Sequence, residues 1–394
     1  MMPTPILQKG VAVWVVLLLL SGAGGWMLYK LSNTYPAKQL TMHKTITSLA
    51  LAKQALMAYA QQPLGLTQCE SNCPRPGDLP CPDRNNDGIA ETSCSNTARL
   101  GRLPWKTLGI GDVRDGSGER LWYAVSERYK NNPRILPLNL DTPGTWSLLL
   151  TEGLHWDATQ GNGVVAVLIA PMHPLVREDG WIQQRQESSS EIAKHYLDVH
   201  ALDNSSPVEN TVNGFVMAAS SPHFNDVVWP ITAGSMHQQM QKHVLSELKR
   251  SLRCTLSPCP AYPSPAAAED DRCLGFQSVT AGQCLPTSVN IGRLPVDPDV
   301  HWPGTTQHML DGDARHHWFQ QNSWREQVFY QSASTQITMI VAGERLPGQS
   351  RESTTDKGNL NAYLEASTLQ ALQAQNAFAL TLPSNDIFER VMKQ

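Results

Sequence analysis

The stretch of sequence best suited to binding a ligand runs from Asp83 to Glu91 and reads Asp-Arg-Asn-Asn-Asp-Gly-Ile-Ala-Glu. Side chains that carry oxygen fall at alternate positions, and a glycine at the sixth position lets the chain turn. Proteins bind calcium with oxygen ligands arranged in this way. The pattern therefore predicts a calcium site. Its side-chain ligands would be Asp83, Asn85, Asp87 and Glu91, with the backbone carbonyl of Ile89 between them.

A polar turn that binds no metal is the alternative for the same stretch. The twelfth position of an EF-hand loop is normally a glutamate that binds calcium through both oxygens, whereas this chain has Cys94 there. The stretch is therefore not an EF-hand, and a bound calcium ion would need a further ligand from elsewhere in the chain. Turns stabilised by Asp and Asn side chains use the same residue types.

The eight cysteines form two clusters of four. They are Cys69, Cys73, Cys81 and Cys94, and then Cys254, Cys259, Cys273 and Cys284. An even number of clustered cysteines predicts disulfides that form in an oxidising compartment. Zinc ligation is the alternative, but no Cys-x-x-Cys pair occurs. The body of the protein is therefore expected outside the cytoplasm.

Little else in the sequence points to chemistry. The motifs of serine hydrolases, zinc proteases, P-loop proteins and dinucleotide-binding folds do not occur, so no enzyme is predicted. One segment is rich in imidazoles and carboxylates, namely His301, His308, Asp311, Asp313, His316 and His317. The spacing of these residues matches no compact set of metal ligands, so a solvated loop is expected. No basic patch with interleaved aromatic residues occurs, so no nucleic-acid binding is predicted.

An uncharged run from Val11 to Tyr29 directly follows the pair Lys9-Gly10. Its 19 residues would form a helix of roughly 28 Å, long enough to cross the core of a bilayer. A transmembrane helix over 11–30 after a leader over 1–10 is predicted, because the run is long and ends in aromatic residues typical of a membrane interface. A secretory signal that is cleaved near Gly25 is the alternative.

The hydrophobic pattern beyond this run predicts an α+β body. An amphipathic spine helix over 31–62 is expected to continue the transmembrane helix, and a second amphipathic helix is expected over 235–253. Four β-branched and aromatic segments lie between the two helices, at 121–125, 146–150, 164–170 and 215–219. They predict one antiparallel sheet that faces the first helix.

The second helix begins a repeat of the same order of segments, namely helix, four-cysteine loop, Gly-Arg-Leu-Pro, aromatic strand and apolar strand. Gly-Arg-Leu-Pro occurs at 101–104 and at 292–295. His-Tyr-Leu-Asp at 195–198 is matched by Ala-Tyr-Leu-Glu at 362–365, and Phe-Asn-Asp-Val at 224–227 is matched by Ser-Asn-Asp-Ile at 384–387. The repeat predicts two domains, over 31–234 and 235–394, each a helix packed on antiparallel sheet.

The disulfides are predicted within each half, because a duplicated unit is expected to close its own loops. Four cysteines allow three pairings per half. The shortest consistent loops favour Cys81 with Cys94 and Cys69 with Cys73, matched by Cys273 with Cys284 and Cys254 with Cys259.

Several of these segments resemble the prepilin-type proteins of bacterial type IV pilus and type II secretion systems. They are Lys-Gly at 9–10 before the apolar run, Ala-Leu-Met-Ala-Tyr-Ala at 55–60, Pro-Cys-Pro-Asp at 80–83, Gly-Arg-Leu-Pro-Trp-Lys-Thr-Leu-Gly at 101–109 and Phe-Asn-Asp at 224–226. The likeness covers roughly the first 235 residues and returns, weakened, in the second copy. It implies two pilin-like domains behind the N-terminal helix.

The resemblance implies that a prepilin peptidase cuts after Gly10 and methylates Val11. It also implies a non-enzymatic minor pilin or pseudopilin, held in the inner membrane with its bulk in the periplasm, which joins other pilin or pseudopilin subunits through its N-terminal helix. Major pilins usually carry a glutamate at the fifth mature position, where this chain has Val15, so a place at the filament tip is expected. A membrane-tethered periplasmic binding or adhesion protein outside any filament is the alternative.

Overall fold

The computed structural model describes residues 37–62, 74–95, 99–134, 137–186, 191–252, 262–269, 290–295, 317–332, 336–373 and 385–392. The helices are α1 (residues 37–59), α2 (Ala233–Ser251), α3 (His317–Gln321), α4 (Thr354–Gly358) and α5 (Ala366–Gln373). The strands are β1 (Leu100–Arg102), β2 (Trp122–Val125), β3 (Leu148–Leu150), β4 (Gly153–Trp156), β5 (Val164–Ala170), β6 (Val199–His200), β7 (Leu202–Asp203), β8 (Phe215–Met217), β9 (Val227–Thr232), β10 (Ile291–Arg293), β11 (Val328–Ser332), β12 (Gln336–Val341) and β13 (Ile387–Met392). Short 3₁₀ helices lie at Ala158–Gln160, Ala193–His195, Trp324–Glu326 and Leu360–Ala362.

Two four-stranded sheets form the framework of this α+β fold, and they share one strand order. The first sheet is β1-β2-β5-β9 and the second is β10-β11-β12-β13, with every neighbouring pair antiparallel. Gly101 pairs with Tyr123 in the first sheet, and Gly292 pairs with Tyr330 in the second. The two Gly-Arg-Leu-Pro segments therefore begin on equivalent strands.

Helix α1 packs on one face of the first sheet. Leu49, Ala52 and Leu56 recur at helical spacing, are fully buried, and share a cluster with Tyr123 and Val125 of β2. Successive side chains of a strand point to opposite faces, and all four residues of β2 are buried. Both faces of the first sheet are therefore covered, which explains why all seven residues of β5 are apolar and buried.

A small sheet in the order β4-β3-β8 lies against the second face. Its residues Leu148 and Phe215 form a buried cluster with Trp146 and with Trp122 of β2. The prediction that segments 146–150 and 215–219 belong to the sheet facing α1 is therefore wrong. They pair with each other in parallel, Leu148 opposite Phe215, because they bury their apolar side chains on the side of the first sheet that is remote from α1.

The predicted fold class is wrong in its transmembrane helix. In the part of the chain that the structure describes, no helix is both long enough and apolar enough to cross a membrane. Helix α1 carries Lys38, Lys44 and Lys53, and its buried side chains pack on the protein's own sheet. The uncharged run at 11–29 lies outside the described residues.

Helix α2 contacts strands of both sheets and joins the two halves. Met240 of α2 belongs to the same buried cluster as Leu49 of α1 and Val328 of β11. A boundary at residue 234 therefore runs through a continuous core, and the division into two domains stays a prediction.

Candidate calcium site

A disulfide brackets the predicted calcium loop. Cys81 and Cys94 are bonded to each other, which is the pairing favoured for this part of the chain. Just inside the disulfide, Asp83 N donates to Arg102 O at 2.9 Å, and Arg102 N donates to Asp83 O at 2.6 Å. No side chain fits at Gly101, because a Cβ atom there would lie 2.7 Å from Asp83 O. The start of the loop is therefore held firmly on β1.

The first predicted ligand, Asp83, is fully buried, and one of its oxygens lacks a donor. Oδ2 accepts a hydrogen bond from Gly88 N at 2.7 Å, whereas Oδ1 has no hydrogen-bond partner. Burial raises the pKa of Asp83, the N–H of Gly88 opposes this rise, and the charge of Asp87 adds to it. A cation near Oδ1 would stabilise this buried carboxylate strongly.

The other predicted ligands surround a turn that is stabilised by the N–H groups of the loop itself. Asn85 Oδ1 accepts from Asp87 N at 3.0 Å, and Asp87 Oδ1 accepts from Ile89 N at 2.7 Å. Glu91 Oε1 accepts from Arg84 N at 3.2 Å. These are the hydrogen bonds of a polar turn, so the described conformation also accommodates the alternative that binds no metal.

The segment after Gly-Arg-Leu-Pro supports the loop from outside. Gly88 has a φ of +87° and lies against Trp105, so a Cβ atom at this position would be 2.6 Å from the indole. Lys106 Nζ donates to the carbonyl oxygen of Asp87. Glycine at the sixth position is therefore required both by its backbone conformation and by its packing.

The donor atoms of the loop suit calcium, although they are not gathered around one point. Among the described residues, no three His, Cys, Asp or Glu side chains form a group that could hold a metal ion. Asp83, Asp87 and Glu91 could supply carboxylates, Asn85 an amide oxygen and Ile89 a carbonyl. Bound calcium would neutralise these carboxylates and cross-link the turn. The unpartnered oxygen of Asp83 favours this fit, and calcium binding stays a prediction.

Sequence reasoning missed a buried arginine that stacks on two aromatic rings in each half. The guanidinium of Arg102 lies 4.3 Å from the ring centroid of Trp122 and 3.9 Å from that of Tyr196. Burial lowers the pKa of Arg102 to about 10, which leaves it charged at neutral pH. The corresponding residues of the second half are Arg293, Phe329 and Tyr363, with distances of 4.8 and 5.0 Å. The repeated Gly-Arg-Leu-Pro and Tyr-Leu segments are the signal that could have revealed this arrangement.

A pair of carboxylates also joins two chain segments in each half. Asp198 N donates to Asp226 Oδ2 at 2.8 Å, and Asp226 N donates to Asp198 Oδ2 at 3.0 Å. In the second half, Glu365 N donates to Asp386 Oδ2 at 2.8 Å, and Asn385 N donates to Glu365 Oε1 at 2.7 Å. We call these two arrangements the carboxylate clasps. A backbone donor binds at least one oxygen of each of these four side chains, whereas Asp226 Oδ1 is buried without a hydrogen-bond partner. The exchanged backbone hydrogen bonds tie the two segments of each half together.

Several residues of the predicted sites lie outside the described residues. They are Gly10, Val11, Cys69, Cys73, Cys254, Cys259, Cys273 and Cys284, together with His301, His308, Asp311, Asp313 and His316. Cleavage after Gly10 and the disulfide pairings other than Cys81 with Cys94 therefore stay predictions.

Comparisons of the chain with protein-family models, with curated proteins and with solved structures find no match. The resemblance to prepilin-type proteins therefore stays a prediction that rests on the segments quoted above.

Calcium should raise the melting temperature of the protein. With a Kd of ~10⁻⁴ M and about 1 mM calcium, binding would stabilise the folded state by about 1.4 kcal/mol. Thermal unfolding in chelator and in calcium measures this shift.

Asp87→Asn keeps an acceptor for Ile89 N but removes a charge from the site, so the calcium-dependent shift in melting temperature should disappear. Glu152→Ala, in the exposed turn between β3 and β4, should keep it. An equal shift in Asp87→Asn, or none in the unaltered protein, would support the polar turn.

Proposed function

We propose that the protein is a non-enzymatic minor pilin or pseudopilin, which assembles with other subunits of this kind on the periplasmic side of the inner membrane. Processing by a prepilin peptidase after Gly10 precedes this assembly. The resemblance of the quoted segments and the repeated order of helix and sheet support the proposal. The observation that carries it is the outward face of α1.

The outward side of α1 exposes several large apolar side chains among polar ones such as His43 and Lys44. Leu49 and Leu56 are fully buried against the sheet, whereas Leu40, Ile46 and Leu51 are 71%, 39% and 43% exposed. Large apolar side chains on the exposed side of a helix indicate a surface that meets another apolar surface. Such a face suits packing against the helices of neighbouring subunits.

A periplasmic binding or adhesion protein that is tethered without entering a filament is the second candidate. The observation in its favour is Val15, because a subunit without a glutamate there lacks the charge that pilins use to pair with a neighbour's N-terminus. The exposed apolar side chains of α1 would then contact a different partner.

Processing of the N-terminus distinguishes the two candidates. When the full chain is produced together with a prepilin peptidase, intact-mass measurement should show loss of residues 1–10 and one added methyl group at Val11. Gly10→Val should prevent both changes, because the resemblance places the cut directly after the glycine of the Lys-Gly pair. An intact Met1, or a cut near Gly25, would favour the tethered protein outside a filament.

A further inference from the structure

The histidine near the start of α2 lies where the two halves of the chain meet. His237 is 5% exposed, and its two ring nitrogens contact different halves. Nδ1 lies 2.7 Å from Glu344 Oε1, in the segment that follows β12. Nε2 lies 2.9 Å from Tyr129 Oη and 3.1 Å from Thr142 O, in the chain between β2 and β3. His237 therefore connects the two halves through polar contacts.

These contacts need more hydrogens than a neutral imidazole supplies. The hydrogen bond from His237 holds the pKa of Glu344 below its ordinary value, so Glu344 is an ionised acceptor and Nδ1 must carry a hydrogen. A neutral ring then has no hydrogen on Nε2. Tyr129 has one hydroxyl hydrogen, which can serve either Nε2 or Thr142 O, the latter at 2.6 Å. Every neutral arrangement therefore leaves one acceptor of the cluster without a donor.

A second ring proton supplies the missing hydrogen. As an imidazolium, His237 donates from Nδ1 to Glu344 and from Nε2 to Thr142 O, whose second lone pair accepts from Tyr129. Burial raises the pKa of Tyr129, so its hydroxyl keeps its hydrogen. Tyr129 and Thr142 are both buried, where an acceptor without a donor is costly. The contacts therefore fit the protonated ring best.

The charges around His237 oppose one another. Glu344 stabilises the imidazolium, whereas the positive end of the α2 dipole disfavours it. The other residues of α2 over 233–241 carry no charge. The remaining charged side chains that line the cavity of about 320 Å³ beside His237 are in ion pairs of 2.9 and 3.3 Å, namely Asp141 with Arg351 and Arg345 with Glu352. Two further positive charges act on Tyr129, those of Arg75 and Arg128. Protonation of His237 is therefore balanced closely enough to respond to pH.

We infer that His237 is a pH-sensitive latch between the two halves, formed with Glu344, Tyr129 and Thr142. When the ring loses a proton, the ion pair with Glu344 becomes a neutral hydrogen bond, and Nε2 no longer donates to Thr142 O. Because the folded state prefers the protonated ring, the latch weakens as pH rises through about 5 to 8, where histidine titrates.

Opening of the latch is local. The side chain of Glu344 is 42% exposed and lines the cavity, so protons reach the latch from solvent. Gln241, one turn further along α2, donates to Ala342 O at 2.8 Å and does not titrate. The halves therefore stay joined at any pH, while the segment at 343–345 loosens.

Hydrogen–deuterium exchange of the full chain at about pH 5.5 and about pH 8 tests this inference. The exchange rates of the amides at 343–345 are divided by the intrinsic rates at each pH, which gives their protection. Protection should be about tenfold lower at the higher pH, as follows from losing one charge-assisted hydrogen bond. Asp386 Oδ1 accepts from Gly343 N, and burial raises the pKa of Asp386, so variants must separate its titration from that of His237.

Two variants and a matched control make this separation. Glu344→Gln keeps an acceptor for Nδ1 but removes the charge that favours the imidazolium, and His237→Gln removes the titrating ring. Both variants should lose the tenfold change in protection. Glu178→Gln should keep it, because Glu178 lies at the same 2.7 Å from a histidine, His200, in an exposed pair elsewhere on the molecule.

Equal protection of 343–345 at the two pH values in the unaltered protein overturns the inference. A tenfold change that persists in Glu344→Gln also overturns it, because another group such as Asp386 is then responsible. Nitrogen-15 NMR of the histidine rings gives the protonation state directly, whether or not His237→Gln folds. A His237 ring that is an imidazolium at about pH 5.5 and neutral at about pH 8 supports the latch, and a ring that is already neutral at about pH 5.5 contradicts it.

Discussion

Replacing Asp226 with alanine should lower the free energy of unfolding by about 2 to 4 kcal/mol. Asp226 Oδ2 accepts hydrogen bonds from Asp198 N at 2.8 Å and from Asn204 Nδ2 at 3.0 Å, and all three residues are buried. Alanine would leave Asp198 N without an acceptor away from water, and Asn204 Nδ2 would keep only its hydrogen bond to Val216 O. Denaturant-induced unfolding measures the loss, with Glu352→Ala as a control, because the side chain of Glu352 is 81% exposed.

The repeat provides a second test of the same clasp. Asp386 Oδ2 accepts from Glu365 N at 2.8 Å, and Asp386 Oδ1 accepts from Gly343 N at 2.9 Å. Asp386→Ala should therefore destabilise the protein by a similar amount. If both alanine variants unfold like the control, the carboxylate clasps contribute nothing to stability.

Asp226→Asn separates the effect of the hydrogen bonds from that of the charge. Burial and the charge of Asp198 raise the pKa of Asp226 well above its ordinary value. A carboxyl with a raised folded-state pKa holds its proton more tightly when folded, so stability falls as pH rises from about 4, its unfolded value, to the folded-state pKa. Asparagine does not titrate but can still accept both hydrogen bonds. The fall in stability with pH should therefore be smaller in Asp226→Asn, and an identical pH dependence would contradict this explanation.

The carboxylate clasps show how far the sequence predicts structure in this protein. The matched segments at 195–198 and 362–365, and at 224–227 and 384–387, identify equivalent positions in the two halves. They do not reveal that Asp198 and Asp226, which are 28 residues apart, exchange hydrogen bonds. That contact depends on how the intervening strands pack, which a motif does not encode.

Helix α2 illustrates the same limit. The spacing of Met236, Met240 and Val244 predicts a helix over 235–253, and the structure has Ala233–Ser251. The pattern does not predict that polar residues of the helix are buried too. Gln241 is buried, and the cost of burying its amide is offset because Nε2 donates to Ala342 O at 2.8 Å. The calcium loop is similar, since its residue types are visible in the sequence but the unpartnered oxygen of Asp83 is not.

Met240→Ala should destabilise both halves of the protein together, by about 3 kcal/mol. Met240 is 1% exposed and packs so tightly on the first half that a Cβ atom at Gly77 would lie 2.7 Å from its sulfur. It also shares a buried cluster with Val328 of the second sheet. A cavity at this position removes contacts from a core that belongs to both sheets.

A shared core should make unfolding a single cooperative transition, which Met240→Ala shifts as a whole. Calorimetry measures the transition, and hydrogen exchange should show faster opening of β5 and β12 alike. Lys242→Ala changes an exposed residue of the same helix and should leave both measurements nearly unchanged. Two separate transitions would contradict this expectation if Met240→Ala moved only one of them. Each sheet and its helix would then fold independently, and the contacts of α2 with both sheets would add little to the stability of either half.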